Sequence, residues 1–266
     1  MIFGRSKFVA ITSIALLAAA VETGTVVRVQ SANGSEKNGK PAAVVELFTS
    51  EGCSSCPPAD ENLQRISELA VEGLNVIPLS FHVDYWNGLG WTDPFSQKGF
   101  SERQQDDAVA MKRKGVYTPQ MIVNGVYEFN GASKDLSDKA IGLALDRVVR
   151  HSIDLKVADP GSGSVGLPLS YRVASLLSDA SDDSEYVLNV AIVTDTETVD
   201  VPRGENGGRK LSHVWVVKSL ETRPLKDGTG TVEVDAALVQ KNHTRLVAYV
   251  QSKTTREITG ASVVEL

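Results

Sequence analysis

The chain has 266 residues, ordinary hydrophobic and charged fractions, and a net charge of −6. That length suits one large domain or two small ones with a sizeable core. The acidic balance carries no nucleic-acid footprint, and the short basic run "MKRKG" at 111–115 reads as the cationic end of a helix.

At the N-terminus, Arg5 and Lys7 precede the uncharged run "FVAITSIALLAAAV". A positive start, an apolar stretch of this length and small residues at 18–20 predict a signal peptide over 1–20. The run is short for a membrane span. An uncleaved anchor is the alternative, and the only membrane association expected. Either way the folded part is exported, to a secreted or periplasmic location. Residues 21–41 are polar and read as a linker.

"AAVVELF" (42–48) is apolar and β-branched, a buried strand. Pro57 and Pro58 suit a first helical turn, after which Leu63, Ile66, Leu69 and Ala70 recur at helical spacing until Gly73. "LNVIPLSFHV" (74–83) is a second buried strand, so the unit is βαβ with a parallel pair. A helical insertion spans 84–115. Ser101 with Gln104 forms a capping box there, and Gly115 sits at the C-terminal end of that helix. "PQMIVNGVYEFNG" reads as a hairpin turning at Asn124-Gly125. "SKDLSDKAIGLALDRVVR" is an amphipathic helix. Beyond His151 the pattern changes to short β segments separated by Gly, Ser, Asp and Asn. Residues 152–266 therefore read as an antiparallel β-sandwich-like domain. Its acidic stretch "SDASDDSE" (178–185) reads as a solvated turn.

Both cysteines of the chain, Cys53 and Cys56, fall between the first strand and the first helix. C-x-x-C beside a βαβ unit is a redox pattern. Amides at a helix start favour a thiolate. Cys53 is expected to be the exposed nucleophile and Cys56 the buried resolving thiol. A loop this short is a poor staple for stability.

The segments "VELFTSEGCSSCPPAD", "FHVDYWNGLGWTDPF", "RQ" at 103–104, "VYTPQMIVNG" and "GENGGRKLSHVWVV" together resemble the secreted thioredoxin-like family known as domain-of-unknown-function 1223, within the thioredoxin-fold superfamily. The resemblance implies an α/β thioredoxin-like domain over 42–151 followed by the β-sandwich-like domain. It also implies a cis-proline at Pro119, with the backbone of Thr118 pairing a bound thiol or peptide substrate. Unlike ordinary thioredoxins, the chain has Ser54-Ser55 between the cysteines and Gly52 where those proteins carry Trp.

Other residues stand near the expected site. His82 and Asp84 follow the carboxyl end of the second strand, where ligands of open α/β sheets bind. His82 is read first as pairing with Asp84 to anchor the insertion. The alternative has it tuning Cys53, or joining Cys53 and Cys56 in a soft site for copper(I) or zinc. Glu46 reads either as a buried base or, preferentially, as a partly exposed strand acid. Trp86, Trp91, Phe95 and Phe100 either rim a substrate site or pack the insertion down. "PRGENGGRK" (202–210) lacks phosphate-loop spacing and reads as a hairpin turn against the first domain. His151, His213 and His243 form no recognisable constellation.

The functional expectation is an exported thiol–disulfide oxidoreductase acting on a protein or small-molecule thiol or disulfide, with a further redox partner. No cofactor is implied. Two alternatives stay open: a copper(I)-handling protein, and a non-catalytic interaction module with a static disulfide.

Overall fold

The structure, a computed structural model, describes residues 39–158, 166–177, 185–226, 228–240 and 243–266. The expected signal peptide, the linker up to residue 38, and the acidic turn apart from Glu185 lie outside the described residues. β1 (Ala43–Thr49) is buried along its whole length. Its side chains alternate between two cores. Ala43, Val45 and Leu47 enter one, and Val44 and Phe48 enter another on the opposite face, as expected of a strand covered on both sides.

Cys56 is the N-cap of α1 (Pro57–Val71), and the two prolines take the first turn, where a missing N–H does no harm. Leu63 and Ile66 bury the inner face of α1 against β1. The chain returns in β2 (Val76–His82), parallel to β1, with Thr49 beside His82. α2 (Lys98–Ala110) follows. β3 (Gln120–Val123) and β4 (Tyr127–Asn130) form a hairpin, with β3 antiparallel to β1. The Thr118–Pro119 bond just before β3 is cis, and Asn124 and Gly125 both take positive φ. A side chain at Gly125 would also run into the carbonyl of Arg256. α3 (Lys134–Leu145) adds Ala140, Ile141 and Ala144 to the core beneath α1.

The rest is strand: β5 (His151–Val157), β6 (Gly166–Ser175), β7 (Tyr186–Val201), β8 (Arg209–Pro224), β9 (Thr229–Asp235), β10 (Thr244–Ser252) and β11 (Ile258–Glu265). β7 and β8 are each 16 residues long, roughly three times an average strand. β5, β6 and β9 make a small sheet, and the others join one sheet in the order β11-β10-β7-β8-β2-β1-β3-β4.

That order overturns the expected α/β thioredoxin-like domain followed by an antiparallel β-sandwich-like domain. Strand dominates over helix, and a single eight-stranded mixed sheet runs through both regions. The junction is a parallel contact of β2 with β8, Ser80 beside Val216. The physical reason lies in two strands that are apolar on both faces. In β7, Leu188, Val190 and Ile192 face the small sheet, whereas Ala191 and Val193 share a core with Phe48 and Phe81. β10 divides likewise, with Leu246, Ala248 and Val250 on one side and Val247 and Tyr249 on the other. Such strands belong inside a layered sheet, and their joining covers an otherwise open edge of β2.

The helical insertion needs a second correction. α2 starts at Lys98, with Gln97 as its N-cap, so Ser101 with Gln104 is no capping box. The Ser101 hydroxyl donates instead to Asp84, and Gln104 donates to the carbonyl of Tyr117 and to Gln120. The helix also ends before Gly115, at Ala110. Among the described residues no helix is long and apolar enough to cross a membrane.

Candidate functional site

Cys53 and Cys56 are joined as a disulfide at the start of α1. The loop before them is tightly built: the Cys53 amide donates to the Ser50 carbonyl and the Cys56 amide to the Cys53 carbonyl. Gly52 lies against Trp86, and a side chain at 52 would come within 3.0 Å of the tryptophan Cβ. Ser54 and Ser55 reach solvent, and the Ser55 hydroxyl is 3.4 Å from Cys53 Sγ. Both cysteines are 0% exposed. The expectation of an exposed Cys53 is therefore corrected.

The cover comes from far along the chain. The distal half of the β7–β8 hairpin extends past the residues of β7 that pair with β10 and places its turn over the cysteine loop. Asn206, itself 1% exposed, donates to the carbonyls of Glu51 and Cys53 at 2.8 and 2.9 Å. The Ser54 amide donates to the Glu205 carboxylate at 3.0 Å, and the Ser54 hydroxyl, with that amide, holds Glu205 below the usual carboxylate range. Arg209 steadies Asn206 from the turn's other side.

Beneath the cover lies a cluster of buried ionisable groups. The His213 imidazole of β8 sits 3.5 Å from a Glu51 oxygen and 3.8 Å from an Asp60 oxygen. Those are ion-pair distances beyond hydrogen-bond reach, and among the described residues neither ring nitrogen has a hydrogen-bond partner. Burial opposes charge on His213, but the Asp60 and Glu51 carboxylates outweigh it and hold the imidazolium up to about 10. The His82 ring stands edge-on to His213, centroids 4.6 Å apart. His82 Nδ1 lies 2.6 Å from Asp93. Burial works against the Asp93 carboxylate, yet His82 and the amides of Glu51 and Phe95 keep it below its usual range. It therefore accepts, and Nδ1 carries the proton. His82 Nε2 has no hydrogen-bond partner among the described residues. Trp91 donates to the other Glu51 oxygen at 2.6 Å.

The groove residues assemble beside this. Trp86 donates from its indole to the Thr118 hydroxyl at 2.8 Å, linking the insertion to the cis-Pro119 loop. Tyr85, Tyr117 and Leu89 (59%) are exposed nearby in the same loops. The Asp84 carboxylate accepts from Ser101 at 2.5 Å and is not the partner of His82. The aspartate that pairs with His82 is Asp93. Glu46 is 0% exposed, so the partly exposed acid is corrected. It lies on the α2 side, where Arg103 donates to one of its oxygens at 2.9 and 2.6 Å. Burial pushes Glu46 up against the pull of Arg103.

His213, Asn206, Glu51, Asp60 and Asp93 were missed from the sequence as site residues. The available signal was a histidine inside the apolar run "HVWVV", within a segment quoted for the family resemblance. Among the described residues no three His, Cys, Asp or Glu side chains come together as a metal site.

The family model described as Protein of unknown function (DUF1223) matches residues 44–251, a span that includes the disulfide, the covering turn and His213. The structure is similar to an X-ray crystal structure of a protein from Agrobacterium tumefaciens, at 31% identity and a TM-score of 0.62, covering 84% of this chain and 93% of that one. It also resembles HBP35 of Porphyromonas gingivalis in fold, at 17% identity and a TM-score of 0.59, covering 85% of this chain and 76% of that one. No curated protein matches the chain.

Proposed function

The chain belongs to the family described as Protein of unknown function (DUF1223), and from that premise we propose that it is an exported thiol–disulfide oxidoreductase working through Cys53 and Cys56. The observation that carries the reading is a disulfide closed over just Ser54 and Ser55 at a helix start, with charged and titratable groups gathered beneath it. A bridge over so short a loop adds little chain-entropy stabilisation, whereas perturbed groups in such surroundings are a mark of functional sites. Export rests on the charged, then apolar, N-terminal pattern.

Cys53, whose sulfur lies beside the exposed Ser55, is the point of attack, and Cys56 is the resolving thiol. The Trp86–Thr118–Pro119 groove, with Tyr85 and Tyr117 at its rim, receives a protein or small-molecule thiol. Access requires the covering turn to lift, which breaks the two Asn206 hydrogen bonds and the Ser54–Glu205 contact.

Complete burial of both sulfurs favours a second reading, an interaction module with a static disulfide. Equilibration in glutathione redox buffers separates the two. A potential between about −120 and −270 mV is the expected result for an exchanger, and one below about −300 mV overturns the reading in favour of the static bond.

A further inference from the structure

Glu51 precedes the cysteine pair by two residues and Asp60 follows it by four, and the His213 imidazole lies between their carboxylates. The Asp60 amide donates to the Cys56 carbonyl at 3.1 Å, and Asn206, on the same hairpin as His213, holds the Cys53 carbonyl. His213 is thus tied, through Glu51 and Asp60, to the segments on both sides of the cysteine pair. We propose that His213 is a positioning residue for thiol–disulfide exchange, its imidazolium offsetting the negative charge left on the cysteines when the bond opens and exchanging a proton with that site. The proposal rests on the oxidoreductase reading above.

The step balances with a dithiol as reductant. One thiolate of the dithiol attacks Cys53 Sγ, the Cys53–Cys56 bond breaks, and Cys56 leaves with the electron pair as a thiolate. The second thiolate then attacks the dithiol's own bridged sulfur, closing a disulfide there and releasing Cys53. The dithiol is oxidised by two electrons and the protein pair reduced by two. The two protons from the dithiol end on the cysteines or on the cluster beneath. A buried anion is costly unless paired, and an adjacent cation lowers a thiol pKa.

Every packed element contributes a group facing His213. The loop after β1 brings Glu51, α1 brings Asp60, β2 brings His82, and the insertion brings Asp93 behind His82. β7 sets Glu197 opposite His213 in register, its carboxylate held by Lys218 at 3.1 Å. Glu51 and Asp60, carboxylates from the segments on either side of the cysteine pair, together hold His213 in its charged form.

The test uses the full chain, reduced with a phosphine, and follows alkylation rate against pH in wild type and His213→Gln. The expected result is a thiolate pKa higher by about one unit in the variant, so about tenfold slower alkylation on the acid side of the profile. His213→Lys should restore most of that rate, which a merely structural role does not predict. Superimposable profiles overturn the proposal. Should His213→Gln fail to fold, the His213 ring protons are titrated by NMR in the oxidised and reduced wild type. Linkage is reciprocal, so the imidazole must titrate higher in the reduced protein, and identical titrations overturn the proposal. Neither readout needs exchange activity. A His213-dependent thiolate with a potential below about −300 mV would keep the electrostatic coupling of His213 to the cysteines and remove the oxidoreductase reading and, with it, the role in exchange.

Discussion

Two buried ion clusters sit on the one large sheet, and they are built differently. Glu46 shares a face with Val44 and Phe48, and Arg103 meets it with hydrogen bonds of 2.9 and 2.6 Å. That guanidinium also donates to Gln251 and lies 5.6 Å from the Phe81 and Tyr249 ring centroids. Gln251 in turn accepts from Asn189 and donates to the Arg256 carbonyl, while Arg256 reaches Asp107 at 2.6 Å. The cluster around His213, facing α1, has equivalent charges but no hydrogen bond to either ring nitrogen. Buried charge normally comes with short hydrogen bonds that offset desolvation. In the Arg103 cluster the cation itself is met by short hydrogen bonds, although Glu46 Oε2 and Asp107 Oδ2 lack hydrogen-bond partners among the described residues, and the cluster reads as architecture. The His213 cluster falls short of that rule beside the disulfide, where chemistry is proposed.

The comparison breaks if the two clusters respond alike. Arg103→Met should cost about 3–5 kcal/mol in urea unfolding, because it strands a buried carboxylate. Adding Glu46→Leu should return most of the loss, since an apolar pair then replaces the ionic one. His213→Gln should differ in kind, through pH. The folded pKa of His213 is raised, from an ordinary 6.5 to about 10. Its stabilisation is therefore complete below about pH 6.5 and fades as pH rises through about 10, with a slope of at most about 1.4 kcal/mol per pH unit. The stability gap between wild type and His213→Gln should shrink across that window, and a constant gap would refute the ionic role. Asn206→Ala removes two hydrogen bonds to buried carbonyls and should cost about 1–2 kcal/mol. It should also speed reduction of the disulfide by dithiothreitol severalfold, and an unchanged rate would mean the turn is no cover. Glu205→Gln, at an exposed position, should leave stability unchanged and raise the reduction rate least of all.

The parts legible in the sequence are those specified locally. The apolar run of β1, the prolines opening α1 and the Asn124-Gly125 turn each carry their own signal within a few residues. The single sheet was less legible, although "YVLNVAIVT" is apolar at both parities and so already argues for cover on two faces. His213 was hidden for a different reason. Its partners Glu51 and Asp60 lie far away in the chain. Trp215, two residues on, takes a positive φ, and the β7–β8 register slips. Period-two counting therefore does not carry through the hairpin to tell which way His213 points. Glu46 was misjudged because its partner, Arg103, is on a helix and 57 residues distant.

The length of the β7–β8 hairpin has a consequence for the order in which the molecule comes into being. Ser54 and the Glu205 that caps it are 151 residues apart in the chain. At a synthesis rate of about 5–20 residues per second, the cysteines emerge roughly eight to thirty seconds before the turn that covers them. For that interval a nascent chain offers its thiols to any oxidant, while the finished molecule closes over the bond already made. The bond can thus form before its cover exists, and the finished molecule holds it beneath the turn that carries Glu205 and Asn206.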